Sequence, residues 1–133
     1  MGYNLPMNKE KGKLVYEDES YKIRGACFSV YNNLGSGHKE LIYQKALAIE
    51  LEKANLQTER EKTLPINYAG EKIGYYKPDF IIEKKIIIEI KAVPFMPKDY
   101  EQQLIHYLKG TNFKLGFLIN FGSNKLDIRR RIN

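Results

Sequence analysis

Tyr76-Lys77-Pro78-Asp79-Phe80-Ile81-Ile82-Glu83-Lys84-Lys85-Ile86-Ile87-Ile88-Glu89-Ile90-Lys91 is the stretch that decides the fold. Two apolar runs flank a charged turn, Glu83-Lys84-Lys85, which is the pattern of a β-hairpin. A hairpin centred on Lys84 sets Asp79 opposite Glu89, because each lies five residues from the turn. Side chains alternate along a strand, so Glu89 and Lys91 share one face with Ile87, while Ile86, Ile88 and Ile90 take the other. Two carboxylates and a lysine then meet on one side of an apolar sheet. Charges in such a place are costly unless something pairs with them, and a divalent cation is the natural candidate.

Upstream, residues 1–13 are polar and contain Gly2, Pro6 and Gly12. They are expected to be flexible, which leaves residues 14–133 as one domain, as the length of the chain suggests. From Ser20 to Asn33, apolar residues recur at three- and four-residue steps and predict an amphipathic helix. The Asn32–Gly37 segment, with Gly35 and Gly37, breaks the pattern. A second helix is expected over His38–Ala54, nearly encircled by Leu41, Ile42, Tyr43, Ala46, Leu47, Ile49 and Leu51 and therefore deeply buried. Glu40 lies three residues before Tyr43 on an inward stripe. An exposed glutamate favoured by the helix dipole accounts for it equally well.

The rest of the chain is predicted as strands over Leu56–Tyr68, Ile73–Glu83 and Lys85–Val93, a helix over Lys98–Lys109 closed by Gly110, and strands over Phe113–Phe121 and Lys125–Ile132. The order α-α-β-β-β-α-β-β implies the α/β class, with a mixed central β-sheet flanked by helices. Gln103 and Tyr107, four apart on the last helix, share a face, and both side chains can hold a phosphate or a metal-bound water.

Composition is that of an ordinary globular protein, 43% hydrophobic and 29% charged. No run approaches the roughly 18 apolar residues of a membrane span, and the N-terminus lacks the apolar core of a signal peptide. A cytoplasmic protein with no membrane partner is expected. Cys27, the only cysteine, excludes an internal disulfide and fits a reducing compartment. With His38 and His106 it makes too sparse a set for zinc. The Gly35/Gly37 pair and Gly74 are not followed by the Lys-Ser/Thr of a phosphate loop. The net charge of +6 falls wholly after residue 83: residues 1–83 hold 12 Lys+Arg against 12 Asp+Glu, and residues 84–133 hold 10 against 4. Lys125 and Arg129-Arg130-Arg131 are its densest part, to be read as a solubilising tail or as a phosphate-facing surface.

Pro78-Asp79, nine further residues and then Glu89-Ile90-Lys91 resemble the PD-(D/E)xK signature of the restriction-endonuclease-like nucleases. Gly37-His38-Lys39-Glu40-Leu41-Ile42-Tyr43 is similar to the motif that names the GxxExxY family of that superfamily. Gln103-x-x-x-Tyr107 resembles a helix motif of its RecB-like branch, and Leu115–Gly122 resembles the closing strand of the GxxExxY family. The resemblance spans residues 14–132, with the motifs in order. It implies a restriction-endonuclease-like core and metal-dependent hydrolysis of phosphodiester bonds, in DNA more than RNA, guided by substrate shape or by a partner. Asp79 and Glu89 would hold Mg²⁺ or Mn²⁺ with the Ile90 carbonyl, and Glu40 would be a further ligand. Lys91 would act on the attacking water and the phosphate, and Gln103 and Tyr107 would orient either. A homodimer, a protein partner, and a catalytically silent nucleic-acid-binding or protein-interaction module that keeps the fold all stay open.

Overall fold

The hairpin forms in the register its sequence predicts: Phe80 faces Ile88, Ile81 faces Ile87 and Ile82 faces Ile86. The computed structural model describes residues 15–133, so the flexible segment expected over residues 1–13 lies outside the described residues. In chain order the elements are α1 (Glu17–Leu34), α2 (Glu40–Lys53), β1 (Thr58–Arg60), β2 (Leu64–Tyr68), β3 (Glu71–Tyr76), β4 (Phe80–Ile82), β5 (Ile86–Lys91), α3 (Lys98–Thr111), β6 (Leu115–Asn120) and β7 (Asp127–Ile132). The main sheet has the order β1-β4-β5-β6-β7, and β2 and β3 form a separate two-stranded sheet. Only β5 and β6 run parallel within the main sheet. Helix α3 is the crossover that parallel neighbours require.

The β4–β5 turn carries positive φ at two non-glycine residues, Glu83 (53°) and Lys84 (58°), as left-handed hairpin turns demand. Lys85 N–H donates to the Ile82 carbonyl at 3.0 Å, and Glu83 N–H donates to the Gln57 carbonyl at 2.8 Å. The Glu83 carboxylate accepts the Gln57 N–H at 2.6 Å. These bonds anchor the turn beside β1.

Alternation along β5 divides the core. Ile86, Ile88 and Ile90 join Phe117 and Ile119 beneath Ile23 and Cys27 of α1 and Leu47 and Leu51 of α2. Ile87 and Leu118 pack on the other face against Tyr76, Leu104 and Leu108. A mixed sheet thus lies between two helices on one side and α3 with the β2–β3 hairpin on the other. The expected fold class holds.

Four expectations need correction. The strand expected over Leu56–Tyr68 is cut at Glu61, whose φ of 51° turns the chain from one sheet into the other. The strand expected over Ile73–Glu83 is cut at Lys77-Pro78-Asp79, where Pro78 has no N–H to give a ladder. Helix α2 is buried on one side only: Tyr43, Gln44, Leu47 and Leu51 point inward, while Leu41, Ile42 and Ile49 stay 52%, 44% and 60% exposed. Helix α3 runs through Gly110 to end at Asn112, in left-handed conformation at φ 63°. Gly110 instead lies against Ile66, and a Cβ there would come within 3.0 Å of it.

The arginines of β7 also depart from expectation. Arg129 and Arg131, two apart and so on one face, both bond Glu101 of α3. Arg129 further reaches Asp127 at 2.7 Å, and Arg130, on the opposite face, donates to the Val15 carbonyl at 2.8 Å. This strand is half-buried and occupied by partners, neither a solvated tail nor a free phosphate surface. Among the described residues no helix is long and apolar enough to cross a membrane.

Candidate active site

The break at Pro78 leaves Asp79 just ahead of β4, opposite Glu89 on β5, and the two residues are bonded crosswise. Asp79 N–H donates to Glu89 Oε1 at 3.0 Å, and Ile90 N–H donates to Asp79 Oδ2 at 2.7 Å. The N–H and C=O of a strand residue point to the same side, so the Ile90 carbonyl also faces the end of β4. Tyr76, at the end of β3, donates its hydroxyl to Glu89 Oε2 at 2.8 Å. Its ring lies against Tyr107 with centroids 3.8 Å apart and planes 10° apart. From α2, Gln44 Nε2 donates to Asp79 Oδ1 at 3.2 Å and to Glu40 Oε2 at 3.3 Å. One amide thereby spans two carboxylates.

Lys91 follows Glu89 by two residues on the same face, and its Nζ lies 4.5 Å from the centre of the Tyr100 ring. Tyr100, Gln103 and Tyr107 form one stripe of α3 by their three- and four-residue spacing. Gln103 therefore stands between the ring under Lys91 and the ring stacked on Tyr76, with its own side chain exposed.

Crowding like charges out of water raises all three carboxyl pKa values. Glu89 is pushed up to about 7, chiefly by burial and then by the Asp79 charge. Burial also raises Asp79, against the opposing pull of the Ile90 N–H. Glu40 rises through burial and then through Asp79, while Lys91 pulls it down. Burial and Glu89 hold the Tyr76 hydroxyl far above its usual value, so it stays a donor.

Of the residues expected from sequence, Asp79, Glu89, Lys91 and the Ile90 backbone lie together at the end of β5, Glu40 joins them through Gln44, and Tyr107 joins through Tyr76. Gln103 lies on the adjoining stripe without a hydrogen bond among the described residues. Gln44, Tyr76 and Tyr100 were missed by sequence reasoning. Gln44 was the most findable, since it sits four residues after Glu40 on the same helix face. His38 is spent locally, with Nε2 against the Leu34 carbonyl at 3.1 Å. Burial pushes the Cys27 thiol up to about 12, which leaves it inert.

Tyr43 explains part of the Gly37–Tyr43 spacing. Its hydroxyl donates to the Gly35 carbonyl at 2.5 Å and accepts the His38 N–H at 3.2 Å, and its ring stacks on Phe121 at 4.7 Å. Gly37, at φ 105°, makes the turn that a side chain would strain. The result fixes where α2 starts, and so where Glu40 stands.

The model of the PD-(D/E)XK nuclease superfamily matches residues 17–131. The chain belongs to that superfamily. No curated protein matches significantly. Among solved structures, the crystal structure of SSO0001 is similar with a TM-score of 0.51 and 24% identity, covering 69% of this chain and 48% of that one. The present chain thus spans about half the length of SSO0001, and the likeness is one of fold. The PD-(D/E)XK superfamily is composed generally of nucleases.

The paired Asp79 and Glu89 carboxylates and the Ile90 carbonyl would offer a cation oxygen atoms alone, the chemistry that Mg²⁺ and Mn²⁺ prefer. Among the described residues no group of three or more acidic, histidine or cysteine side chains is placed to hold a metal ion by itself.

Proposed function

We propose that this chain is a metal-dependent nuclease of the GxxExxY branch, hydrolysing phosphodiester bonds in DNA rather than RNA, with its choice of site set by substrate shape or by a partner. The observation that carries the reading is the crosswise pairing of Asp79 with Glu89 beside Lys91. Three carboxylates with raised pKa values gathered at one strand end are poor for stability and useful for holding a cation.

In this reading Asp79 and Glu89 hold the Mg²⁺ or Mn²⁺, with the Ile90 carbonyl and Glu40 as further ligands. When bound, such an ion acidifies a water and offsets charge on a phosphate. Lys91 orients the attacking water and donates to the phosphate oxygens as their charge grows. Tyr76 fixes the Glu89 carboxylate in one orientation, and Gln44 sets the separation of Asp79 from Glu40. Gln103 and Tyr107, above the centre on α3, position the phosphate backbone or the water shell around the ion.

A second reading is supported by one feature. The oxygens of Asp79 and Glu89 accept hydrogen bonds from Ile90, Asp79, Tyr76 and Gln44, so the protein's own donors hold both carboxylates in place. A catalytically silent binding or interaction module would look the same. Turnover separates the two. Single-stranded, double-stranded, flapped and branched DNA, and RNA, are incubated with Mg²⁺ or Mn²⁺ and with the parent, Asp79→Ala or Lys91→Ala protein. Cleavage by the parent alone is the expected result. A parent that cleaves nothing while still binding nucleic acid moves the assignment to the silent module.

A further inference from the structure

On the α1 side of the sheet, at the end to which β5 runs, lies an open cleft of about 630 Å³. Its walls are Arg24 and Phe28 of α1, Pro94 and Phe95 after β5, and the Gly122–Ile128 segment that includes Lys125. Pro94 is three residues beyond Lys91. Strands in a sheet lie about 4.8 Å apart, so the β7 wall is about 10 Å from β5. The site and the cleft share one sheet end.

The cleft is rigidly built. Asn120, fully buried at the end of β6, accepts the N–H groups of Val93 and Gly122 at 3.0 Å each and donates to the Val93 carbonyl at 2.9 Å. A Cβ at Gly122 would meet Val93 N at 2.4 Å, so only glycine lets the two segments approach. Tyr31 shares its one hydroxyl hydrogen between the Ser123 and Asn124 carbonyls, at 2.9 and 2.8 Å. This clamp gives the Asn120-Phe121-Gly122 sequence its purpose: it ties the cleft wall to the chain that has just left the catalytic strand.

Its chemistry is cationic and aromatic. Arg24 and Lys125 are exposed and make no ion pair among the described residues, in contrast to Arg129 and Arg131 of β7. The acid in the wall, Asp127, is held by Arg129 at 2.7 Å. Phe28 is 44% exposed and Phe95 87%, so both rings that line the cleft are open to contact from outside. Phosphate matches the cations, and a base without a pairing partner matches the rings, since base–aromatic stacking tolerates any base. A base inside a duplex has both faces covered by its stacked neighbours.

We propose that the cleft holds an unpaired nucleotide of the substrate strand, with Arg24 and Lys125 on phosphate and Phe28 and Phe95 against the base. The inference rests on the nuclease reading and sharpens it. The preferred substrate is a strand with a single-stranded part next to the scissile bond, such as a flap or fork, and a blunt duplex is a poor one.

The test measures binding apart from turnover. Fluorescence anisotropy in EDTA, with a labelled single strand and a matched blunt duplex, is run on the parent, Phe95→Ala, Phe28→Ala and Arg24→Gln/Lys125→Gln proteins across salt concentrations. Phe95→Ala is expected to weaken single-strand binding by about fivefold or more, one stacked base, and duplex binding by less than about twofold. The double substitution is expected to flatten the log K against log salt slope by about 1.4, the value for two phosphates on a single strand. Unchanged single-strand affinity and slope in every variant overturns the inference, as does equal loss on both substrates. Cleavage with Mn²⁺ is scored separately. Binding that responds as expected without any cleavage sinks the nuclease and keeps the cleft, whereas cleavage with unresponsive binding sinks the cleft alone.

Discussion

Two strands of the same sheet, β5 and β7, handle charge in opposite ways. At the end of β5, Asp79, Glu89 and Glu40 are gathered with like charges as neighbours, and their proton affinities rise. On β7, Arg129 and Arg131 meet the carboxylate of Glu101 from α3, and Arg129 also meets Asp127. Burial works to raise the Glu101 pKa, but the hydrogen bonds and charges of Arg131 and Arg129 outweigh it and leave it lowered. The β7 strand pairs opposite charges, whereas the carboxylates beside β5 are met by neutral donors, the Ile90 and Asp79 N–H groups, Tyr76 and Gln44. Two of the three arginines in the sequence's densest positive run are paired with carboxylates, and the third bonds the Val15 carbonyl.

The comparison breaks most readily at the carboxylates. If they serve catalysis, Asp79→Ala and Lys91→Ala should each lower the cleavage rate by roughly 10³-fold or more, the scale of losing a group that stabilises charge in the transition state. The melting temperature of Asp79→Ala should stay near that of the parent, because loss of the Ile90 N–H acceptor is offset by relief of repulsion with Glu89. A strong drop in melting temperature would make the pair structural after all, placing both strands in one class.

A pH titration of stability is the next largest effect, and the two regions should respond with opposite sign. Glu89 has a folded value of about 7 against an ordinary 4.5. The native state therefore holds a proton that the unfolded chain has already released between those pH values. The penalty is absent below about pH 4.5, grows through the window and is complete above 7, where it amounts to about 3 kcal/mol. Glu89→Gln should flatten this fall in metal-free denaturant titrations. Mg²⁺ added above pH 7 should recover part of it if the ion binds the native state. Glu101, with its lowered value, contributes stability that is lost as pH drops below about 4.5.

The hairpin and the acidic centre were legible because they depend on order along the chain. Alternation put Glu89 and Lys91 on one face, and equal spacing from Lys84 put Asp79 opposite Glu89. The partners of those groups were not legible. Tyr76 reaches Glu89 only because Pro78 ends one strand and lets β3 leave the main sheet, and Gln44 reaches Asp79 only because α2 crosses the end of β4. Exposed apolar residues misled for a related reason. Leu41, Ile42 and Ile49 suggested burial all round, yet the fold covers a single side of α2. The arginine run misled because charge is counted by sequence but cancelled in space, by Glu101 from 28 and 30 residues away.

Within β7 the same contrast can be drawn more finely. Glu101→Ala removes the carboxylate that joins α3 to two arginines at once, with side chains only 18%, 27% and 36% exposed. It should destabilise the protein by about 1–2 kcal/mol, above the usual value of an exposed pair because two half-buried guanidinium groups are left behind. Denaturant midpoints at pH 7 measure it.

Asp127→Ala should cost the least, about 0.5 kcal/mol. Asp127 and Arg129 are two residues apart on one strand and already face the same way, so their contact closes no long loop and fixes no packing. Arg129 also keeps Glu101 at 2.9 Å when Asp127 is gone. The ordering of Glu101 above Asp127 is the sharper claim. Equal losses would mean that each arginine contact contributes by charge alone, wherever its partner sits. The expected order would mean that β7 stabilises the sheet through its link to α3, the helix whose other stripe, Tyr100, Gln103 and Tyr107, stands over the carboxylates. In that case, slackening the arginine strand should also loosen the wall of the active site. A Glu101→Ala protein should therefore show weaker cleavage without any change in the residues at the centre itself.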